Sequence, residues 1–363
     1  MEKHYDVTLL PAGQEASADL IAFLHGLMPE LGPDQWRWTF RGSPGGADVL
    51  VARHQDDILG HYSTIRVPFQ FGGRACTVAK GECSLIDLPK ILKLPKSSDR
   101  RVYRHLVGIA LDRNKDADIP LTFTMSNLAA RATQVRAGFK HIDPKLRTAA
   151  CILSMSSIAR AGHTWRARLG RLIAPVYDIL ARPFLGWVAR DDARIRSLAE
   201  SDAPGLERLA DDIAEKFPWL ITTRRVWPYI QWRFKSDPHR TCEPYGLFAE
   251  NGRLRGVVVL SVNHRSTHDF GEIVDLIAVD QEATVKLLRY AIFWMRRKNV
   301  PYVEIWTAPR LPAYRFLNTC LRRLGFVFSH DRPLMLGIFS PDDDAPYDVR
   351  NWYVTKAFWL YTR

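Results

Sequence analysis

Cysteine is scarce in this sequence, and the patterns that hold metal ions are missing. The chain has five cysteines, no two of them at CxxC spacing, so we expect no disulfide framework and predict a reducing compartment, the cytoplasm. There is no HExxH motif and no cluster of cysteine with histidine, and we therefore expect no metal site. A GxSxG motif and a P-loop are also absent, which argues against a serine hydrolase and a P-loop nucleotidase.

No apolar run in the sequence is both long and uninterrupted. The most apolar stretch, Leu172–Val188, contains Pro175, Asp178, Arg182 and Pro183, and it is too short and too interrupted to span a bilayer. The first residues do not have the pattern of a signal peptide. We therefore expect no stable membrane insertion.

The sequence has enough apolar material for two domains. Of its 363 residues, 47% are apolar and 25% are charged, as in ordinary globular proteins. A chain of this length predicts two domains of roughly 150 residues each. The formal net charge of +12 favours acidic partners such as nucleotide phosphates, nucleic acid or anionic lipid, although many basic proteins have no such partner.

Three short patterns occur twice, in the same order. Each copy starts with Trp-x-Phe-x-x-x-Pro, continues with two apolar runs around a polar turn, and closes on Gly-Phe after a helix. The first copy has them at Trp38–Pro44, Val49–Gly60 and Gly138–Phe139, and the second at Trp232–Pro238, Leu247–Gly256 and Gly325–Phe326. We infer that the chain contains two copies of one fold.

Each copy also repeats the order strand, helix, strand between the hairpin and Gly-Phe. The predicted elements are Cys83–Leu88, Arg100–Asn114 and Leu121–Met125 in the first copy, and Ile273–Val279, Ala283–Lys298 and Tyr302–Thr307 in the second. Strands and helices that alternate behind a hairpin predict an α/β fold. Each copy should have a mixed, mostly antiparallel sheet flanked by helices.

A basic linker separates the two copies. We divide the chain into an N-terminal domain at 1–157, a linker at 158–203 and a C-terminal domain at 204–363. Residues 160–196 include eight arginines and no lysine or glutamate. An apolar stripe lies among these arginines, formed by Leu169, Leu172, Ile173, Val176 and Leu180. Such a helix can lie on a membrane or on RNA phosphates, but we predict that the stripe docks on the protein's own domains.

The order of elements resembles that of the GNAT acyltransferases. The doubled arrangement resembles tandem bacterial members that are met near polysaccharide and surface-modification genes, and the resemblance covers nearly the whole chain. It implies an acyl-CoA such as acetyl-CoA, which in this family enters a gap beside the strand before the main helix. The diphosphate would lie on backbone amides at the N-terminus of that helix, where glycines let the backbone come close.

In the first copy, this diphosphate loop would be Pro89–Asp99 together with the start of the next helix. Arg101 and Tyr103 stand where the family has glycines, and Asp99 adds a negative charge. The resemblance therefore implies that side chains hold the phosphates. The expected cofactor contacts are Leu88, Lys96, Ser97, Ser98, Arg100, Arg101 and Asn127. The sequence also fits a purely structural alternative. In that alternative a serine of this set, or Asn127, caps a helix, and the arginines are solvated.

The second copy has no comparable loop. Only Asp280, Gln281 and Glu282 separate its strand from its helix. We therefore expect no cofactor there and interpret the second copy as a structural or acceptor-binding half.

Acyl transfer to an amine needs a base and a donor that stabilises the oxyanion. The resemblance implies that a backbone N–H near Ile86 is this donor and that a carboxylate on the same strand is the base. Glu82 and Asp87 match by position, and strand alternation puts them on opposite faces. We prefer Glu82 as the base, although a solvated glutamate at a strand end fits as well. The family's tyrosine acid would fall near Gln134, which cannot serve as an acid.

These observations predict an N-acyltransferase that is active in its first copy and acts on an amine of a sugar or small metabolite. An aminoacyl-tRNA-dependent transferase of the same doubled fold is the alternative, because it manages without coenzyme A and gains from a basic surface. A third interpretation, favoured by the missing glycines and tyrosine, is an inactive scaffold or binding module.

Overall fold

The computed structural model describes residues 5–11, 13–126, 128–161, 165–264, 268–331 and 335–358. The strands in these ranges are β1 (Asp6–Leu9), β2 (Ala47–His54), β3 (Asp57–Phe71), β4 (Arg74–Ile86), β5 (Thr122–Ser126), β6 (Lys140–Ile142), β7 (Arg147–Ile152), β8 (Ile195–Ser197), β9 (Thr222–Thr223), β10 (Cys242–Phe248), β11 (Leu254–His264), β12 (Asp269–Ala278), β13 (Tyr302–Thr307), β14 (Val327–Phe328) and β15 (Met335–Phe339). The helices are α1 (Ala18–Leu27), α2 (Pro33–Phe40), α3 (Leu88–Lys93), α4 (Val102–Asp116), α5 (Leu128–Arg136), α6 (Met155–Ala161), α7 (Trp165–Val188), α8 (Ala203–Lys216), α9 (Trp227–Ile230), α10 (Gln281–Arg297) and α11 (Arg315–Arg323).

Two mixed sheets flanked by helices confirm the predicted fold class. Within the described ranges, the first sheet has the order β1-β2-β3-β4-β5-β15-β6, with β9 beside β3, and the second has the order β14-β7-β13-β12-β11-β10-β8. In both, an antiparallel hairpin leads to a strand that pairs in parallel with the strand after the main helix. Gly138 and Gly325, which close the two copies, have the positive φ angles of 96° and 76° that favour glycine.

Each sheet contains a strand from the other half of the chain between two of its own strands, and the short β9 also pairs with β3 of the first sheet. β15 lies between β5 and β6, where Gly337 is in register with Thr124 and with His141. β7 lies between β13 and β14, where Ala150 is in register with Glu304 and Val327. The division at 1–157, 158–203 and 204–363 therefore separates segments of sequence that share their sheets, and as a domain division it stays a prediction.

A pair of tryptophans joins the two Trp-x-Phe motifs. The indole N–H of Trp38 donates to the carbonyl of Trp232 at 2.8 Å, and the indole N–H of Trp232 donates to the carbonyl of Trp38 at 2.8 Å. The two rings stack with centroids 5.5 Å apart, and both side chains are buried. The repeated motif therefore binds to its own copy across the interface.

The segment 352–358 packs against both sheets. Trp352 and Phe358 contact Phe123 of the first sheet, with ring centroids 5.7 Å apart in each case. The Tyr353 hydroxyl donates to the carbonyl of Leu276 in the second sheet at 2.6 Å. The segment thus fills the interface between the sheets with aromatic side chains.

The prediction that the linker's apolar stripe docks on the protein was wrong. Leu172, Ile173, Val176 and Leu180 are all exposed, whereas the Leu169 side chain lies outside the described residues. The helix packs through its opposite side, where Ala174, Leu185 and Val188 are buried. Among the described residues, no helix is long and apolar enough to cross a membrane.

The tryptophan pair should contribute measurably to stability. Replacing Trp232 by Phe removes one N–H donor and leaves the buried Trp38 carbonyl without its partner. We therefore expect the free energy of unfolding, measured in urea, to fall by about 1–3 kcal/mol. Trp38→Phe should do the same from the other side. Trp219→Phe is the matched control, because Trp219 is 40% exposed, and an equal loss in that control would contradict the assignment.

Candidate active site

A gap opens between β4 and β5 in the first sheet. The two strands pair in parallel over three residues only, with Ala79–Gly81 of β4 opposite Thr122–Thr124 of β5. β4 then continues as far as Ile86, and the main helix α4 follows after a loop. The edge of β4 beyond Gly81 therefore faces a space that β5 has left.

The Ile86 amide points into this gap. The Asp87 N–H donates to the Leu59 carbonyl at 2.9 Å, and Ile86 is in register with Gly60. Ile86 and Gly60 are therefore a non-hydrogen-bonded pair, in which the backbone groups of Ile86 face away from β3. This orientation is the one that an oxyanion donor at Ile86 requires.

A β-bulge at Cys83 sets the direction of this part of β4. Cys83 has a φ angle of 47°, and the register between β3 and β4 shifts at this point. The His61 ring donates from Nδ1 to the Cys83 carbonyl at 2.7 Å, which fixes the neutral tautomer with its proton on Nδ1. Burial lowers the pKa of His61 to about 4.

The bulge interrupts the regular alternation of side chains along β4. The assignment of Glu82 and Asp87 to opposite faces of the strand depended on that alternation. Asp87 is the N-cap of α3 and accepts from the Lys90 N–H at 3.1 Å, so its carboxylate has a structural partner. Glu82 is not solvated at a strand end but almost fully buried.

Glu82 pairs with Lys80, a residue that the sequence reasoning missed. The two side chains lie on one face of β4, two residues apart, and their charged ends are in contact. Lys80 is in register with Phe123, so this face is the one that meets the C-terminal segment. Burial, and then the positive charge of Arg233, lower the pKa of Lys80.

The second sheet continues this buried charged layer. Glu272 and Glu304 are in register on β12 and β13, and the Lys356 ammonium contacts both, at 2.7 Å from Glu304. Arg240 contacts the other oxygen of Glu272. We use the term charged layer for these four residues together with Lys80, Glu82 and Arg233. It lies at the interface of the two sheets, where its acidic and basic groups are buried against one another.

In the second sheet, the equivalent gap is filled. The Val279 N–H donates to the Arg255 carbonyl, so Ala278 is the counterpart of Ile86, and the backbone of Leu276, two residues earlier, also faces away from the neighbouring strand. The Tyr353 hydroxyl donates to that Leu276 carbonyl. At the N-terminus of α10, the Asp280 carboxylate accepts from the Ala283 N–H at 2.8 Å. Strand, cap and helix follow one another directly, with no intervening loop.

The first copy has a longer connection, and its arginines are already paired. The Arg101 guanidinium forms two hydrogen bonds to Asp99, at 2.8 and 2.6 Å, and the Arg101 N–H donates to the same carboxylate at 3.0 Å. The Arg100 guanidinium donates to the Leu94 carbonyl at 2.8 Å. The hydrogen bond from Arg101 holds the pKa of Asp99 well below its usual range, so this buried carboxylate is ionised.

The remaining predicted cofactor contacts are spread along this connection. Lys96 and Ser97 are exposed, Ser98 is buried, and Leu88 is the exposed first residue of α3. Asn127 lies outside the described residues. The expected contacts therefore differ in their exposure to solvent, and the Asp99 carboxylate lies directly before α4.

Tyr103 lies beside the gap, at a position where the family has glycine. Its hydroxyl accepts from the Gln134 amide at 3.2 Å and also hydrogen bonds to Ser84 of β4. The Gln134 carbonyl in turn accepts from the His141 ring at 3.0 Å. Burial raises the pKa of Tyr103, so the phenol keeps its proton at neutral pH. Gln134 of α5 stands where the resemblance places a tyrosine, and it hydrogen bonds to Tyr103 of α4.

These residues do not fit a diphosphate that is held by backbone amides. The Asp99 carboxylate accepts from the Arg101 N–H directly before α4, and the Tyr103 side chain fills space that a glycine would leave open. An acyl-CoA would therefore need side-chain contacts or a displaced Asp99. No three His, Cys, Asp or Glu side chains in the described ranges are placed to hold a metal ion.

Solved structures resemble this chain in fold, whereas no protein-family model and no curated protein sequence matches it. N-myristoyltransferase of Saccharomyces cerevisiae with bound myristoyl-CoA is 12% identical, with a TM-score of 0.56 over 93% of this chain and 83% of that chain. A GCN5-related N-acetyltransferase from Anabaena variabilis is 12% identical, with a TM-score of 0.59 over 92% of this chain and 72% of that one. A second one, from Kribbella flavida, is 15% identical, with a TM-score of 0.54 over 96% and 74%. This chain has a GNAT-type fold.

The buried His61 should make stability depend on pH. Its folded-state pKa of about 4 lies below the ordinary 6.5, so the unfolded chain takes up the proton first as the pH falls. The stabilisation is complete above about pH 6.5 and decreases towards pH 4, by up to about 3 kcal/mol. His61→Gln should flatten this part of the pH profile of urea unfolding. The exposed His25→Gln is the control, and an unchanged slope in His61→Gln would contradict the assignment.

Proposed function

We propose that this chain is a GNAT-type N-acyltransferase whose reaction takes place in the gap between β4 and β5. The Ile86 N–H carries the proposal, because it faces the gap and can donate to the oxyanion that forms at an acyl carbonyl. The gap in the second sheet is filled by Tyr353, which leaves the first copy as the active one.

Two side chains beside the gap can move the protons of this reaction. Glu82 takes a proton from the amine as the bond between nitrogen and the acyl carbon forms. Tyr103, which is protonated and close to Ser84 of β4, gives a proton to the leaving group as the old acyl bond breaks. Gln134 orients the phenol through its hydrogen bond.

The acceptor in this proposal is an amine of a sugar or small metabolite. The charged layer supports a polar acceptor, because Lys80, Arg233 and Glu272 can bind hydroxyl groups that an apolar interface would exclude. Myristoyl-CoA is bound in the yeast relative, and we extend acyl-CoA use to this chain as the donor. Lys96, Ser97, Ser98 and Arg100 would then contact the phosphates by side chain.

Asp99 should oppose the binding of an acyl-CoA. Asp99→Asn removes the negative charge and releases Arg101, so the affinity for acetyl-CoA or a longer acyl-CoA should rise about tenfold or more. Isothermal titration of both ligands measures this change. Asp280→Asn is the matched control, since it removes a carboxylate beside the N-terminus of the main helix in the second sheet and should leave affinity unchanged.

If Asp99→Asn binds no more tightly than the wild-type protein, the diphosphate does not lie at α4. If neither protein binds either ligand at millimolar concentration, acyl-CoA is not the donor. The Asp99–Arg101 pair then favours the aminoacyl-tRNA-dependent transferase, whose donor needs no diphosphate cradle, and salt-dependent tRNA binding separates this function from an inactive scaffold.

Removing either proton-transfer group should lower turnover and leave donor binding nearly intact. We expect Glu82→Gln and Tyr103→Phe each to reduce kcat by roughly 100-fold or more, measured as acyl transfer to an amino sugar. Glu304→Gln is the control for damage to the charged layer, because it removes a buried carboxylate that pairs with Lys356. An equal loss of kcat in all three variants would contradict the roles of Glu82 and Tyr103.

A further inference from the structure

The helix α7 presents a broad apolar face to solvent. Among its side chains from 171 onward, which the structure describes, the most exposed large ones are Leu172, Ile173, Val176, Ile179, Leu180 and Trp187, and the first and fifth of these are 76% and 74% exposed. Their spacing of one, three and four residues places them on one side of the helix. We call these six residues the exposed face of α7. A continuous apolar surface of this kind marks a site of interaction.

The orientation of α7 is fixed by contacts on its opposite side. The Asp178 carboxylate accepts from the backbone N–H groups of Met155 and Ser156, at 2.7 and 3.2 Å. Arg296 of α10 donates to the Leu185 carbonyl at 3.1 Å. Since the inner side of the helix already packs on the protein, the exposed face cannot turn inward without breaking these bonds.

Positive charge borders the exposed face. Arg182 is exposed on the same helix, and the Arg289 guanidinium of α10 lies 4.7 Å from the centre of the Trp187 ring. Asp178, the acidic residue of α7, is held on the inner side. The segment 160–196 has eight arginines, and the whole chain has a net charge of +12. The surroundings therefore attract an anionic surface.

We propose that the exposed face of α7 binds the surface of a membrane that contains anionic lipid. The helix lies parallel to the membrane, with its leucines, isoleucines and valine at the boundary of the acyl chains and Trp187 at the level of the headgroups. The neighbouring arginines bind lipid phosphates. This site is separate from the gap between β4 and β5 and does not depend on the proposed acyltransferase activity.

The charges favour a membrane over other occupants of this face. A second copy of the chain would bring arginines against arginines, which repel each other. RNA would satisfy the arginines but would leave six large apolar side chains without a partner, because phosphate-dominated binding gains little from them. A lipid surface satisfies both the apolar side chains and the flanking positive charges.

Flotation with phospholipid vesicles tests this proposal. The full chain should float with vesicles that contain phosphatidylglycerol and much less with pure phosphatidylcholine vesicles, and added salt should weaken the binding. Leu172→Asn with Leu180→Asn should weaken the binding by about tenfold or more without changing the circular dichroism, since both side chains are solvent-exposed. Arg182→Gln should weaken binding to the anionic vesicles alone.

The matched control is Leu92→Asn with Val135→Asn, which removes two exposed apolar side chains outside α7 and should leave flotation unchanged. The proposal is overturned if the wild-type protein stays in the lipid-free fraction, if it floats equally with neutral vesicles, or if the Leu172/Leu180 variant floats as well as the wild type. It is also overturned if light scattering shows a dimer that this variant separates, or if the variant loses RNA binding and keeps flotation.

Discussion

Neither sheet of this protein is complete without a strand from the other half of the chain. β15 supplies the strand between β5 and β6, and β7 supplies the one between β13 and β14. Since buried backbone groups need hydrogen-bond partners, removing either strand would leave one edge of each of its two neighbours without a partner. This exchange brings the copies into one interface, where Trp38 stacks on Trp232 and the segment 352–358 packs on both sheets.

The two copies share a fold but differ in their capacity for chemistry. In the second, Tyr353 fills the gap beside β12, and Asp280 caps the main helix directly. In the first, the bulge at Cys83 turns the end of β4, and the Ile86 amide faces away from β3 on the edge of β4 that β5 has left, where Tyr103 hydrogen bonds to Ser84. In our proposal, the first copy therefore supplies the chemical groups, and the second completes the interface and extends the charged layer.

Local patterns were sufficient to predict most of the elements. Tyr302–Thr307 is a strand with the predicted bounds, and the repeated hairpins are present because their apolar runs and polar turns are short-range signals. The strand exchange was not predictable, because the partner of Arg147–Ile152 lies some 150 residues away and pairing is a long-range choice. Apolar periodicity showed that α7 has one apolar side, but it could not show which side packs. The pairing of Lys80 with Glu82 could have been predicted, because residues two apart in a strand share a face.

The central claim is that an acyl carbonyl binds at the Ile86 amide, and hydrogen exchange at that amide tests it most directly. With a non-reactive acyl-CoA analogue added to the ¹⁵N-labelled Asp99→Asn protein, exchange of the Ile86 N–H should slow. The amide of Leu85, in register with His61 and bonded within the sheet, should not change. Unchanged exchange at Ile86, with protection appearing instead at the start of α10, would contradict the account.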